Sequence, residues 1–221
     1  MQKHYNHMAE LGTTTNQIYN LNKLLKTFFN YAIQESFIMK NPCFKLSIPK
    51  TQETKESRVD PFTDEEIAAI LEAATGNIRM LFQLGLGTGL RRGELLGLQC
   101  KHVDLDAMTL DVKQALKRVK VFRNETDYHY DVIIKDTKTP NSIREVSIPT
   151  GLRPALRWYI LSQKEKHARR GVPYMLLFST QTGSAVGGKN VDTAFKRLLC
   201  RAGVRYRCFH NIPPHIRNKA I

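Results

Sequence analysis

Thr88-Gly89-Leu90-Arg91-Arg92-Gly93-Glu94-Leu95-Leu96-Gly97-Leu98 is the stretch on which the reading of this chain turns. A glycine-rich turn runs into a helix that starts near Gly93 and carries Leu95, Leu96 and Leu98. Such a turn lets an arginine project from the helix start into a cleft. A guanidinium is permanently charged and grips a phosphate with two parallel N–H donors, so Arg91 suits a negatively charged centre. The plain alternative is an interhelical turn with two solvated arginines and Glu94 as a helix cap.

Working outward, the flanks are helical. On the amino-terminal side, Ile78 to Leu86 forms an apolar helix that meets Gly87. Before it, Thr63 with Glu66 three residues later makes a capping box, followed by Ile67, Ile70, Leu71 and Ala74 on one face. Residues 51–60 lie in a polar stretch without apolar periodicity, a linker signature. Upstream, Ile18, Leu21, Leu25, Phe28 and Ala32 recur at helical spacing, widened by Leu24 and Phe29. Thr14 or Thr15 could cap that helix, and Asn41-Pro42 ends the helical region. A module of about fifty residues is marginal alone and is expected to lean on a partner surface. On the carboxyl-terminal side, residues 109–114, 130–135 and 143–148 alternate with β-branched side chains, which predicts a three-stranded antiparallel sheet. Helical texture returns at 152–168 and 189–202. The fold class is mainly α with a small antiparallel β-sheet.

The whole chain has 221 residues, with 34 Lys+Arg against 20 Asp+Glu, a net charge of +14. A 42% hydrophobic share supports a real core and excludes generic disorder. No apolar run approaches a membrane span, and the opening residues lack a signal-peptide core. Four scattered cysteines, Cys43, Cys100, Cys200 and Cys208, do not staple a small domain, and the expected location is the reducing cytoplasm. The charge is uneven: residues 164–221 carry 12 basic and 2 acidic residues, and no carboxylate follows Asp192. That surplus favours a polyanionic partner, nucleic acid before membrane.

TGLRRGELLGL resembles the first arginine box of the tyrosine recombinase (phage integrase) family. Three further stretches resemble that family in the right order. LNKLLKTFFNYAIQESFIMKNP is similar to the end of its helical core-binding domain, FTDEEIAAILEAA to the opening helix of its catalytic domain, and LFSTQTGSAVGGKNVDTAFKRLLCRAGV to the segment before its second box. The resemblance implies a partial SAM-like helical core-binding domain over 1–50, a linker over 51–60 and a truncated catalytic domain of the DNA breaking-rejoining enzyme fold over 61–221. It implies that Arg91 is catalytic, with Arg92 a variable neighbour that contacts DNA. A lysine on the hairpin between Ile134 and Ile148 would protonate the leaving 5′ oxygen; Lys138 is the better match and Lys135 the alternative. Lys189, Lys196 and Arg197 would face DNA. The partner is double-stranded DNA, in a tetrameric synapse in intact relatives, with no membrane, cofactor or metal.

The second box departs from the family pattern of His-x-x-Arg. Aligning on Phe209-His210 makes His210 the catalytic histidine but puts Pro213 where the second arginine belongs. Aligning on His215 leaves Arg217 one residue short. Losing that phosphate clamp would cost on the order of 10²–10³ in rate, by analogy with loss of one preorganised oxyanion donor. The codons of PPHIRNKA can be chosen so that deleting one nucleotide reads RHTSVTKL, a continuation of the box, so residues 213–221 are expected to be a frameshifted tail, with natural divergence as the alternative. The last of the eight tyrosines, Tyr206, precedes the box, and none matches the family nucleophile. The expectation is therefore a copy that binds DNA without cleaving it. The alternatives are a noncatalytic regulator of a full-length integrase and an unrelated basic nucleic-acid-binding protein. Two decoys remain. Gly183 to Asn190 has P-loop spacing, but Asn190 replaces the Ser/Thr that would bind Mg²⁺. Cys200, Cys208, His210 and His215 lack the paired spacing of a zinc knuckle.

Overall fold

The computed structural model describes residues 1–51, 60–124, 127–136 and 143–209. Two compact units divide at the linker, Met1–Val59 and Asp60–Ile221.

In the first unit, α1 (Gln2–Glu10) packs on α2 (Thr15–Gln34). Thr14 caps α2 in a full capping box, accepting from the Gln17 N–H while the Gln17 side chain accepts from the Thr14 N–H. The polar opening stretch does not advertise α1 as a helix. It is held by Tyr5, which is fully buried, with its hydroxyl 3.3 Å from Asn22 Oδ1. The apolar stripe of α2 is split rather than continuous. Ile18 and Ala32 are buried, whereas Leu24, Phe28 and Tyr31, four and three residues apart, are exposed beside that face. The helix also stops earlier than Asn41-Pro42, because Ser36 turns into the left-handed region at φ 60°.

The second unit is a mixed α/β body. It runs α3 (Asp64–Ala73), α4 (Gly76–Thr88), α5 (Arg92–Gly97), β1 (Val103–Asp104), β2 (Thr109–Val112), β3 (Gln114–Phe122), β4 (Tyr128–Asp136), β5 (Arg144–Ser147), α6 (Arg153–Arg169) and α7 (Gly188–Arg201). Thr63 and Glu66 form the expected capping box on α3. The core gathers the buried faces of these helices around an aromatic cluster. Phe82 and Phe195 stack 5.7 Å apart, Phe62 meets both edge-on, and Phe209 meets Phe195 at 5.3 Å.

The strands pair differently from the single sheet that alternation predicts. One sheet has the order β1-β2-β5 and the other is a two-stranded ribbon of β3 and β4, all antiparallel. The segment 130–135 thus belongs to β4 and pairs with β3, from Gln114↔Asp136 to Phe122↔Tyr128. Among the described residues, the hairpin expected between Ile134 and Ile148 does not form, because β5 pairs with β2 instead. Alternation identifies each strand but carries no information on its partner. Here residues 117–122, whose basic residues hide their strand character, compete successfully for β4.

Candidate functional site

Helix α4 ends at Gly89, whose φ of 64° is the left-handed cap that lets the chain reverse towards α5. Leu90 then inserts into the core, and Arg91 becomes the residue that starts α5. The Arg91 N–H donates to Glu94 Oε2 at 2.9 Å, so Glu94 caps the helix it belongs to. The Arg91 guanidinium touches Glu94 Oε1 at 3.3 Å while its side chain remains 75% exposed.

Helix α5 reaches this position because it lies on the β3 backbone. A Cβ on Gly97 would stand 2.9 Å from the Leu116 nitrogen, so only glycine allows the approach. Glu94 is buried, yet its carboxyl is held below the ordinary glutamate range. Burial pushes it up, and the hydrogen bonds from Arg144 and the Arg91 backbone outweigh that push. Arg144, at the start of β5, donates from Nη2 to Oε2 at 2.9 Å and from Nη1 to Oε1 at 3.1 Å. The same contact raises the Arg144 pKa.

The remaining expected residues fall in three places. Arg92, expected to contact DNA, forms an ion pair with Asp192 of α7, and its guanidinium lies against Gly188. It joins α5 to the first turns of α7. Lys189, Lys196 and Arg197 are exposed on the α7 face opposite the buried Val191, Phe195, Leu198 and Leu199, with Lys196 Nζ 5.9 Å from the Tyr206 ring. Lys135 is exposed on β4, opposite Ala115. Lys138, His210, His215 and the segment 213–221 lie outside the described residues. The stretch from Gly183 to Asn190 is no continuous phosphate loop. Its first part closes a turn, with the Gly183 N–H donating to Thr180 O, and its last part is the first turn of α7. Among the described residues, no group of three or more His, Cys, Asp or Glu could hold a metal.

Three features escape a reading of the sequence. Arg144 is one. Arg207 is another: it bonds Asp60 at 2.7 Å and Glu66 at 2.8 Å, holding the segment before Phe209 against the start of α3. The third is the outer half of the β3–β4 ribbon, where the Arg118 guanidinium lies 3.4 Å from the Tyr130 ring centroid and Lys120 Nζ lies 3.9 Å from that of Tyr128. The alternation Arg118, Lys120, Phe122 was the available signal for that face.

The model of the Phage integrase family matches residues 61–217, which spans the arginine box, both sheets and α7. The chain belongs to the phage integrase family. This integrase-family chain is 40% identical over 222 residues to a tyrosine recombinase XerC-like protein of Caldanaerobacter subterraneus subsp. tengcongensis, covering 96% of the chain and 57% of that protein. It is 26% identical over 168 residues to the ICEBs1 integrase of Bacillus subtilis, covering 75% of the chain and 43% of the relative. The chain thus spans roughly half the length of these two relatives. Its fold is similar to that of the Tn1549 transposon integrase in complex with circular intermediate DNA, with a TM-score of 0.63 at 22% identity over 96% of this chain and 68% of that one. It is also similar to a lambda integrase dimer bound to a core site, with a TM-score of 0.56 at 16% identity over 95% of this chain and 65% of that one.

Proposed function

We propose that this chain is the DNA-binding, phosphate-engaging part of a site-specific tyrosine recombinase. The observation that carries the reading is the Arg91 guanidinium, exposed at the start of α5 while the carboxylate beside it is held by Arg144. Arg91 would neutralise a nonbridging oxygen of the target phosphate. The exposed row of Lys189, Lys196 and Arg197 would hold neighbouring phosphates of the duplex. Lys138 and His210 would handle the protons of strand cleavage, by the resemblance of their segments to those of the family. The unit Met1–Val59 would act as the core-binding domain, and further protomers would join in a synapse.

The chemistry of intact relatives is attack by a tyrosine hydroxyl on a DNA phosphodiester. The phosphotyrosyl bond that forms retains the energy of the broken one, so a free 5′ hydroxyl can reseal the strand without ATP. In this sequence Pro213 stands where the resemblance puts the second arginine of the phosphate clamp. On that ground the chain would bind DNA without cutting it efficiently, and this same feature favours the second reading, a noncatalytic regulator of a full-length integrase.

Fluorescence anisotropy with a labelled duplex across a salt series tests the binding. Affinity should fall steeply with salt, by a slope near −0.9 for each phosphate contacted. Arg91→Ala should lower that slope by about one contact. Salt-independent retention, or preference for RNA in competition, would overturn the reading. A nicked suicide duplex should yield little covalent species, and efficient trapping would refute the loss of cleavage.

A further inference from the structure

An arginine beside a carboxylate is ordinarily cancelled by it, so the availability of Arg91 needs a cause. Glu94 is the carboxylate in question, with a side chain only 7% exposed, and a buried charge of this kind has to be compensated. Two arginines meet it unequally. Arg144 grips both oxygens, at 2.9 and 3.1 Å, and is itself about one-third exposed. Arg91 offers a single side-chain contact at 3.3 Å and stays three-quarters exposed. One negative charge is thus matched by Arg144, and the positive charge of Arg91 is left over, turned to solvent.

We propose that Arg144 is a positioning residue that occupies Glu94 and so keeps Arg91 free to engage a DNA phosphate. The inference rests on the DNA-binding reading above and names the residue that regulates the same site. Arg144 is well placed for the role. Its backbone is anchored in the sheet opposite Val112, so one ion pair ties β5 to the arginine box. Without Arg144 the buried carboxylate would retain, among the described residues, only Arg91 as a bonded cation. The Arg91 guanidinium would then fold down onto Glu94 and leave the DNA-facing side.

Charge balance makes the proposal separable from a general structural role. Arg144→Ala should weaken binding of the labelled duplex by about tenfold and lower the salt slope by about one, as Arg91→Ala does. The double variant Glu94→Gln with Arg144→Ala should recover most of that loss, because no buried charge remains to capture Arg91. Arg144→Lys, which keeps the charge but not the two-pronged geometry, should fall between wild type and Arg144→Ala. Wild-type binding by Arg144→Ala, or a double variant no better than Arg144→Ala, would overturn the proposal. A second measurement needs no DNA. Hydrogen exchange at the Arg91 Nε–H, followed by ¹⁵N NMR on the free chain and identified through Arg91→Ala, should slow in Arg144→Ala and speed up again in the double variant; unchanged exchange would refute the capture. If the wild type fails to bind DNA, the functional reading falls while this exchange measurement still decides the triad.

Discussion

Replacing Gly97 by alanine adds one methyl group where α5 rests on the β3 backbone. The new Cβ would stand 2.9 Å from the Leu116 nitrogen and 3.1 Å from both Cα and the carbonyl carbon of Ala115. All three are main-chain atoms of a strand paired along its whole length with β4, so they cannot step aside cheaply and α5 has to slide instead. In an open helix the same substitution would stabilise by about 0.5–1 kcal/mol, because alanine loses less backbone freedom on folding. Overpacking a tight contact costs about 1–3 kcal/mol. At the middle of both ranges the contact wins, for a net loss of about 1 kcal/mol. With a urea slope of about 1–3 kcal/mol per molar, the unfolding midpoint should drop by roughly 0.3–1 M. Gly93→Ala supplies the comparison. Its Cβ would meet one carbonyl oxygen of Leu116 at 3.0 Å and the Ala115 methyl at 4.0 Å, so its loss should be smaller. Because α5 carries Arg91, Gly97→Ala should also weaken duplex binding. A midpoint at or above wild type, or a larger loss at Gly93, would refute the reasoning.

Phe209→Ala should destabilise by about 3–5 kcal/mol, since Phe209 is 4% exposed and closes the aromatic cluster against Phe195; differential scanning calorimetry reads the shift. Stability should also depend on acid through Glu94. Its folded pKa lies below the ordinary 4.5, so the contribution is fully present above that value and is lost as pH falls through the lower folded one. In Arg144→Ala, burial is no longer outweighed, the folded pKa rises, and the acid decline contributed by Glu94 should shrink or reverse; urea midpoints from about pH 3 to about pH 6 would show it, and superimposable profiles would count against the assignment. Arg207→Ala should speed proteolysis around residues 205–209, because the bonds to Asp60 and Glu66 hold that segment; an unchanged cleavage pattern would mean Phe209 alone suffices.

Comparing residues with structure shows which kinds of information are local. The cap at Thr63, the glycine turn before Arg91 and the start of α5 were legible, and the α2 cap was narrowed to Thr14 or Thr15, since each involves partners within four residues along the chain. The strand character of β2, β4 and β5 was legible too. Their pairing was not, because it is a competition among segments up to tens of residues apart. The split stripe of α2 has a similar cause: helical spacing marks Leu24 and Phe28 as apolar, and only the neighbours that happen to pack decide whether they are covered.

The sequence by itself determined the family and the arginine box, because a short run of residue types at fixed spacing specifies both the turn and the cation it presents. It also determined the basic surplus of the carboxyl-terminal third. Tertiary structure decided what each cation does. Arg92 and Arg91 are adjacent in sequence, yet one is committed to Asp192, a hundred residues away, and the other is exposed. Arg144 reached Glu94 across fifty residues, through the pairing of β5 with β2. A buried carboxylate takes whichever arginine the fold brings to it, and composition cannot say which one that will be.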